Sequence, residues 1–304
     1  NNFKLVLGNE IYLTRNNLNK VNYVKGQDFY WHFILLAKDA IGHEQLRKLS
    51  SLAWRRSYRQ YIERVPTYYS DVEEIIGQDK GHLVASTACL GSYFANRILK
   101  LHKDDEAINE INSFTDWCLS MFGDDFYIEI QPYEQIDQIT YNKLAVKYEK
   151  SKNIPITLTT DSHYLTKDDR KIHRAFLNAN EGDREIDAFY SSTYMMSWEE
   201  IIGYCSYFTT DAMEEIRQNT LTIVGKCTDY SLEHKQVVPK AELQFHSKVE
   251  VPEDLVWANK FVNSDYQEDK CFINNIFYHF KKKFSKYSEE KCLARLSRLE
   301  IELE

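Results

Sequence analysis

Asp161-Ser162-His163 follows the apolar run Ile154 to Thr159 (IPITLT) and is the most informative tripeptide in the chain. If it continues that run as a strand, Asp161 and His163 point to one side with Cα atoms about 6.6 Å apart, within reach of one metal ion or a close pair. A carboxylate beside an imidazole suits Zn2+, Mn2+ or Fe2+, and a free neighbouring position leaves room for an activated water. The plainer reading is a loop aspartate capping a turn beside a surface histidine. From the tripeptide alone both stand.

Three further residues carry donor atoms in unusual settings. His32 lies inside the very apolar run Phe29 to Ala37 (FYWHFILLA). A ring there must satisfy two nitrogens, and either a backbone carbonyl in a core or a metal ion would do so. Glu10 stands between Asn9 and Ile11 in Lys4 to Leu13 (KLVLGNEIYL). A carboxylate stays ionised there only beside a partner such as a cation, or at an exposed strand end. Cys89 lies in ASTACLGS, where small residues let the backbone turn closely and place a sulfur at a strand end. A small buried thiol is the commonest outcome for such a cysteine, and thiolate ligation is the sharper alternative. The other histidines, His43, His82, His102, His173, His234, His246 and His279, are scattered, and only His173 shares a segment with a candidate.

Residues so far apart in sequence meet only if strands deliver them to one place. Lys4 to Leu13, Phe29 to Ala37, Leu83 to Ser86, Phe126 to Ile130 and Ile154 to Thr159 read as strands, and Pro132 stops the fourth. Between them, Lys38 to Tyr61, the stretch after Gly91 up to Met121, and Asp137 to Ser151 have helical spacing, and Asn16 to Lys25 is a polar loop. Asp168 or Asp169 is placed to cap a helix running through Asn178. This alternation predicts an α/β body of crossover units with its polar loops gathered at one end of the strands. Past Met196 the strand signal fades. Helices are expected at Ser197 to Tyr204, Asp211 to Lys226 and Leu255 to Val262, then, beyond a connector from Pro239 to Pro252, at Asp269 to Lys283 and Glu289 to Glu304.

The 304 residues are ample for a core, with 43% hydrophobic and 28% charged residues, as in soluble globular proteins. A net charge of -8 argues against a surface devoted wholly to polyanions and leaves room for a local basic patch. That patch is Lys281, Lys282, Lys283 and Lys286 with Phe280, Phe284 and Tyr287 interleaved, suited to phosphate contact or simply to the solvated face of a helix. No apolar stretch approaches a membrane span and no secretory signal opens the chain, so a cytoplasmic location is expected. The six cysteines form no CxxC pair and read as reduced thiols. No glycine-rich phosphate loop is present.

Taken in order, Gly8-Asn9-Glu10-Ile11-Tyr12, His32 with Leu35-Leu36-Ala37-Lys38, Ala88-Cys89-Leu90-Gly91, Phe122-Gly123-Asp124-Asp125-Phe126-Tyr127 and Thr160-Asp161-Ser162-His163-Tyr164 resemble the polymerase and histidinol phosphatase (PHP) domain of bacterial DNA polymerase III alpha subunits. Phe189 to Trp198 is similar to the segment after that domain's core, and Arg298 to Glu304 to the helix leading into the polymerase body. Each motif is weak alone; their order and separation make the likeness fairly specific, and it spans nearly the whole chain.

The resemblance implies a (β/α)7-like barrel, here lacking its first strands, over residues 1–235, and a mainly helical connector over 236–304. It implies Glu10, His32, Cys89, Asp161 and His163 as metal ligands in a cluster of up to three ions, zinc or manganese, with magnesium serving the parent polymerase. The implied function is DNA replication within a DNA-directed DNA polymerase of a bacterium or phage, with metal-dependent 3'-5' phosphodiester hydrolysis. The implied partners are DNA, through the full-length polymerase, and replisome or proofreading subunits, with no membrane. Two departures stand out. Only nine residues precede Glu10, so nothing matches the family's leading histidine pair or the aspartate and histidine that follow it, and Asn9 stands where the family has a cysteine. The palm aspartates of the polymerase site would fall beyond Glu304, so this polypeptide alone is not expected to polymerise DNA. A free-standing phosphoesterase resembling histidinol phosphatase and a non-catalytic scaffold are the alternatives.

Overall fold

Gly8–Thr14 (β1) and Trp31–Ala37 (β2) pair antiparallel, and their period of two decides what each face meets. Phe33, Leu35 and Ala37 are buried in the main core, whereas His32, Ile34 and Leu36 are half-buried on the opposite face. The register sets Glu10 opposite Ile34 and Tyr12 opposite His32, so Glu10 and His32 are diagonal neighbours on that second face. The structure, a computed structural model, describes residues 4–25, 27–60, 64–100, 106–181, 190–233, 235–236, 242–246 and 250–303. Tyr61, His102, Phe189, His234, Pro239 and Glu304 lie outside the described residues.

Ala40–Gln60 (α1) follows, then Pro66–Tyr68 (β3), Tyr69–Ile76 (α2), Leu83–Ser86 (β4), Tyr93–Ile98 (α3) and Glu106–Phe122 (α4). Phe126–Ile130 (β5), Ile136–Lys152 (α5), Ile156–Leu158 (β6), Arg170–Glu181 (α6), Trp198–Tyr204 (α7) and Thr210–Lys226 (α8) complete the first compact unit, Asn1–Leu232. The six strands lie in the order β3-β1-β2-β4-β5-β6. β2 runs antiparallel to both of its neighbours, and the remaining neighbouring pairs are parallel. The fold is therefore the α/β body that the alternation predicts, with a mixed rather than all-parallel sheet. β3 and α2 were not legible: a three-residue strand opening on proline carries no periodic signal.

Leu46 and Leu49 from α1, Phe94 and Ile98 from α3, and Ile111, Phe114 and Phe122 from α4 bury the face that bears Phe33 and Leu35. Each large side chain so buried contributes about 1.5–3 kcal/mol. The free edge of β6 is covered differently. The Leu158 N–H donates to Thr220 Oγ1 (3.1 Å), and Asn219 Nδ2 donates to the Ile156 carbonyl (3.0 Å), so side chains of α8 satisfy the unpaired strand. The start of α6 corrects the expected cap: Thr166 begins a 3-10 turn, and Asp169 reaches back to accept from its N–H (2.9 Å) and hydroxyl (2.7 Å).

At the strand ends remote from Cys89, His82 Nδ1 lies 2.7 Å from Asp39 Oδ2 and Nε2 lies 3.2 Å from Asp79 Oδ1. Hydrogen bonding to Asp39 raises the His82 pKa above its ordinary value against the opposing effect of burial. A group raised on folding stabilises fully below its unfolded pKa and loses that contribution as pH rises through the folded one. Thermal melts should therefore show stability falling as pH rises above about 6.5, the ordinary histidine value, and that His82-dependent fall should be absent in His82→Gln. An unchanged profile in the variant would remove this ion pair as the cause.

Glu233–Glu304 is a second compact unit. It contains Val256–Val262 (α9), Gln267–Phe284 (α10) and Glu289–Leu303 (α11), and its core is Trp257, Ala258, Ile273 and Phe277 with Leu296, Leu299 and Leu303 packed against them. The segment 242–246 is held to α10 by Asn275 Nδ2 donating to the Gln244 carbonyl (3.0 Å) and Asn274 Nδ2 donating to that of His246 (3.3 Å).

Candidate metal centre

Glu10, Ile34 and Ser86 form one row across β1, β2 and β4, since Ile34 pairs with both of the others. The side chains of this row face a cavity of about 350 Å3 that Cys89, Glu129 and Asp161 also line. Below these polar groups its walls are apolar, with Leu36, Val84 and Ile223 among them.

Cys89 enters this cavity through the turn after β4, where Ala88 has a left-handed φ of 59°. The Gly91 N–H donates to Cys89 Sγ (3.4 Å), and the Gly91 carbonyl accepts from the His32 N–H (3.2 Å). A Cβ at Gly91 would stand 3.3 Å from the His32 ring, so glycine lets turn and strand approach this closely. His32 Nδ1 lies 2.6 Å from Glu10 Oε1 and 3.4 Å from Cys89 Sγ. Donor atoms of Glu10, His32 and Cys89 all lie within 4.8 Å of one another. Hydrogen bonds to Cys89 and then to Glu10 push the His32 pKa up to about 10, against burial. At neutral pH the ring thus carries a second proton, which an ion bound there would have to displace.

Asp161 and His163 do not extend β6, which ends at Leu158. Asp161 has a φ of 39°, a left-handed conformation that no strand adopts, so of the two alternatives the sequence leaves open the loop is the one found. The two side chains still meet, with His163 Nε2 at 3.5 Å from Asp161 Oδ1. That contact raises the His163 pKa, with burial opposing it and the charge of Glu10 adding to it. The His163 ring packs edge-on against Tyr190 with 4.9 Å between centroids and lies 5.5 Å from His173. Of the five candidates, then, three converge tightly, while Asp161 shares their cavity with His163 beside it.

Glu129 escaped the sequence reading. A carboxylate inside FYIEI, a run otherwise wholly apolar, was the available signal. It is 4% exposed, and burial raises its pKa while hydrogen bonds from Ser86 and Thr159 oppose the rise. Lys281, Lys282, Lys283 and Lys286 belong to the second unit and are exposed on or just beyond the last turn of α10.

A carboxylate oxygen, an imidazole nitrogen and a thiol sulfur converging beside a cavity make a donor set suited to zinc and related divalent ions, so the residues present fit such an ion. Residues 1–133 match the PHP domain, and that part of the chain belongs to the family. Over 99% of its length the chain is 37% identical to the probable DNA polymerase YorL of Bacillus subtilis, and likewise to a DNA-directed DNA polymerase of Bacillus phage SPbeta. Over 75% of its length it is 28% identical to the DNA polymerase III subunit alpha of Borreliella burgdorferi. The chain thus contains a PHP domain and is similar to DNA polymerase III alpha subunits. The chain spans 24% of the length of the first two relatives and 19% of the third.

Proposed function

We propose that this chain works as the PHP region of a DNA-directed DNA polymerase in DNA replication, with residues 1–235 as the PHP domain and 236–304 as a helical connector. The observation that carries a metal-dependent role is the approach of Glu10, His32 and Cys89 donor atoms to within 4.8 Å. In this reading those three residues hold a divalent ion, zinc or manganese, and Asp161 and His163 hold a second position at the cavity. A bound ion supplies Lewis acidity toward a phosphoryl oxygen and a water made nucleophilic at neutral pH, the chemistry of 3'-5' phosphodiester hydrolysis. The chain's own part is to present a carboxylate, a thiolate and an imidazole freed of its proton, and to wall the site with apolar side chains that limit water.

DNA is the proposed substrate and partner, with replisome or proofreading subunits as further partners and magnesium serving polymerisation in the parent enzyme. In the second unit, Phe280 and Phe284 stack with 4.7 Å between centroids beside the exposed Lys281 and Lys282, an arrangement suited to bases and phosphates. Lys283 and Lys286 add charge to the same end of the helix.

Metal analysis of the full-length polymerase, paired with cleavage of a 3'-labelled oligonucleotide after Asp161→Asn and His163→Ala, tests this reading. Joint loss of metal and cleavage is expected, whereas loss of metal with cleavage intact would sink the hydrolytic mechanism. One observation favours a scaffold: His32, Glu10 and Cys89 already satisfy one another's polar atoms. A polymerase that binds no metal and loses stability in His32→Ala would support that alternative.

A further inference from the structure

Glu129 sits in β5 as a buried carboxylate whose two oxygens are tied to different strand ends. Oε2 accepts from the hydroxyl of Ser86, the last residue of β4. Oε1 accepts from the hydroxyl of Thr159 (2.6 Å), just past the end of β6, and from Gln131 Nε2 (3.3 Å). The main chain repeats the pattern, because the Glu129 N–H donates to Thr87 Oγ1 (2.9 Å) and its carbonyl accepts from the Tyr141 hydroxyl (2.8 Å).

These partners lie directly upstream of the metal-ligand candidates. Ser86 and Thr87 run into Ala88-Cys89, and Thr159 runs into Thr160-Asp161. Ala88 and Asp161 both hold left-handed backbone, at φ 59° and 39°. Non-glycine residues keep such conformations only where their surroundings hold them. Tyr133 adds a second restraint, its hydroxyl donating to the Thr160 carbonyl at 2.6 Å. A leucine would fill the volume of Glu129 without the cost of burying a carboxylate. Its use therefore lies in what its oxygens hold together.

We propose that Glu129 is a positioning residue for the metal centre, fixing the Cys89 turn and the Asp161–His163 loop relative to each other through its two carboxylate oxygens, so that their donors face one cavity. The inference rests on the metal-binding reading given above.

Zinc titration calorimetry on the whole chain, stripped of metal, tests it alongside the melting of each metal-free variant. Glu129→Gln keeps the volume but replaces one acceptor oxygen with a donor, and should weaken zinc binding at least about tenfold while still melting cooperatively. Thr159→Val and Ser86→Ala, each removing one hydroxyl donor, should weaken it by smaller factors. Ile128→Val, on the same strand but in the main core, should lower the melting temperature and leave zinc affinity unchanged. A folded Glu129→Gln with the affinity of the parent overturns the positioning role. If that variant does not fold, parent-like affinity in Thr159→Val overturns it instead. A parent chain that binds no zinc overturns the metal reading itself, a result distinct from either.

Discussion

If the proposed metal centre is correct, His32→Ala should weaken zinc binding by more than about 100-fold, exceeding the effect of losing an outer-shell partner, because the atom it removes is common to both close contacts in the donor group. His32 Nδ1 touches Glu10 and Cys89 alike, and nothing else on the inner face of β2 replaces it, since Ile34 and Leu36 are the neighbouring inward side chains. Cys89→Ala and Glu10→Ala should each weaken binding as well. His82→Ala, at the far ends of the strands, serves as the control and should leave affinity unchanged. Competition against a chelator of known strength measures all four, and a His32→Ala protein that holds zinc like the parent would remove this group as the site.

Asp71→Ala should destabilise the fold by about 3–5 kcal/mol, the cost of leaving a buried charge without its partner. Asp71 and Arg56 form a two-pronged pair, Nη1 to Oδ2 at 2.8 Å and Nη2 to Oδ1 at 2.9 Å, with side chains 8% and 11% exposed. Asp71 Oδ2 also accepts from the Tyr68 N–H (2.7 Å) at the start of α2, and Arg56 Nη1 donates to the Pro66 carbonyl (2.7 Å). The guanidinium lies 3.5 Å from the centre of the Tyr68 ring, adding an attraction of about 0.5–2 kcal/mol that the variant keeps. Urea unfolding measures the loss. In the double variant Arg56→Met with Asp71→Leu much of it should return, because apolar packing replaces the pair without stranding a charge. A loss below about 1 kcal/mol in Asp71→Ala would show that the guanidinium finds water instead.

The elements that declare themselves in sequence are those with sustained pattern. The apolar run ending in Trp31–Ala37 and the helical spacing in Ala40–Gln60 and Ile136–Lys152 come from apolar side chains that need a core, and each element stands where its pattern predicts within a few residues. β3 was missed because its stability comes from tertiary ties, the Arg56–Asp71 pair above all, rather than from its own three residues. For Asp161 the sequence leaves a continued strand and a loop equally open, since a left-handed φ in a non-glycine residue leaves no compositional trace. The likeness of the donor residues to a known family made the site legible sooner than spacing did. Glu129 shows the converse: its hydroxyl partners come from the end of β4 and from just past β6, and adjacency in sequence reveals neither.

The reversed direction of β2 has a consequence for anyone reshaping this pocket. In the parallel strands β4 and β6 the useful residues follow the strand's exit, but His32 stands at its entrance, one residue after Trp31. Grafts or length changes in the connection spanning 15–30 would thus act on the imidazole from upstream, independently of the segments that deliver the thiol and Asp161. Laboratory evolution could vary that connection alone as a separate dial on ion preference.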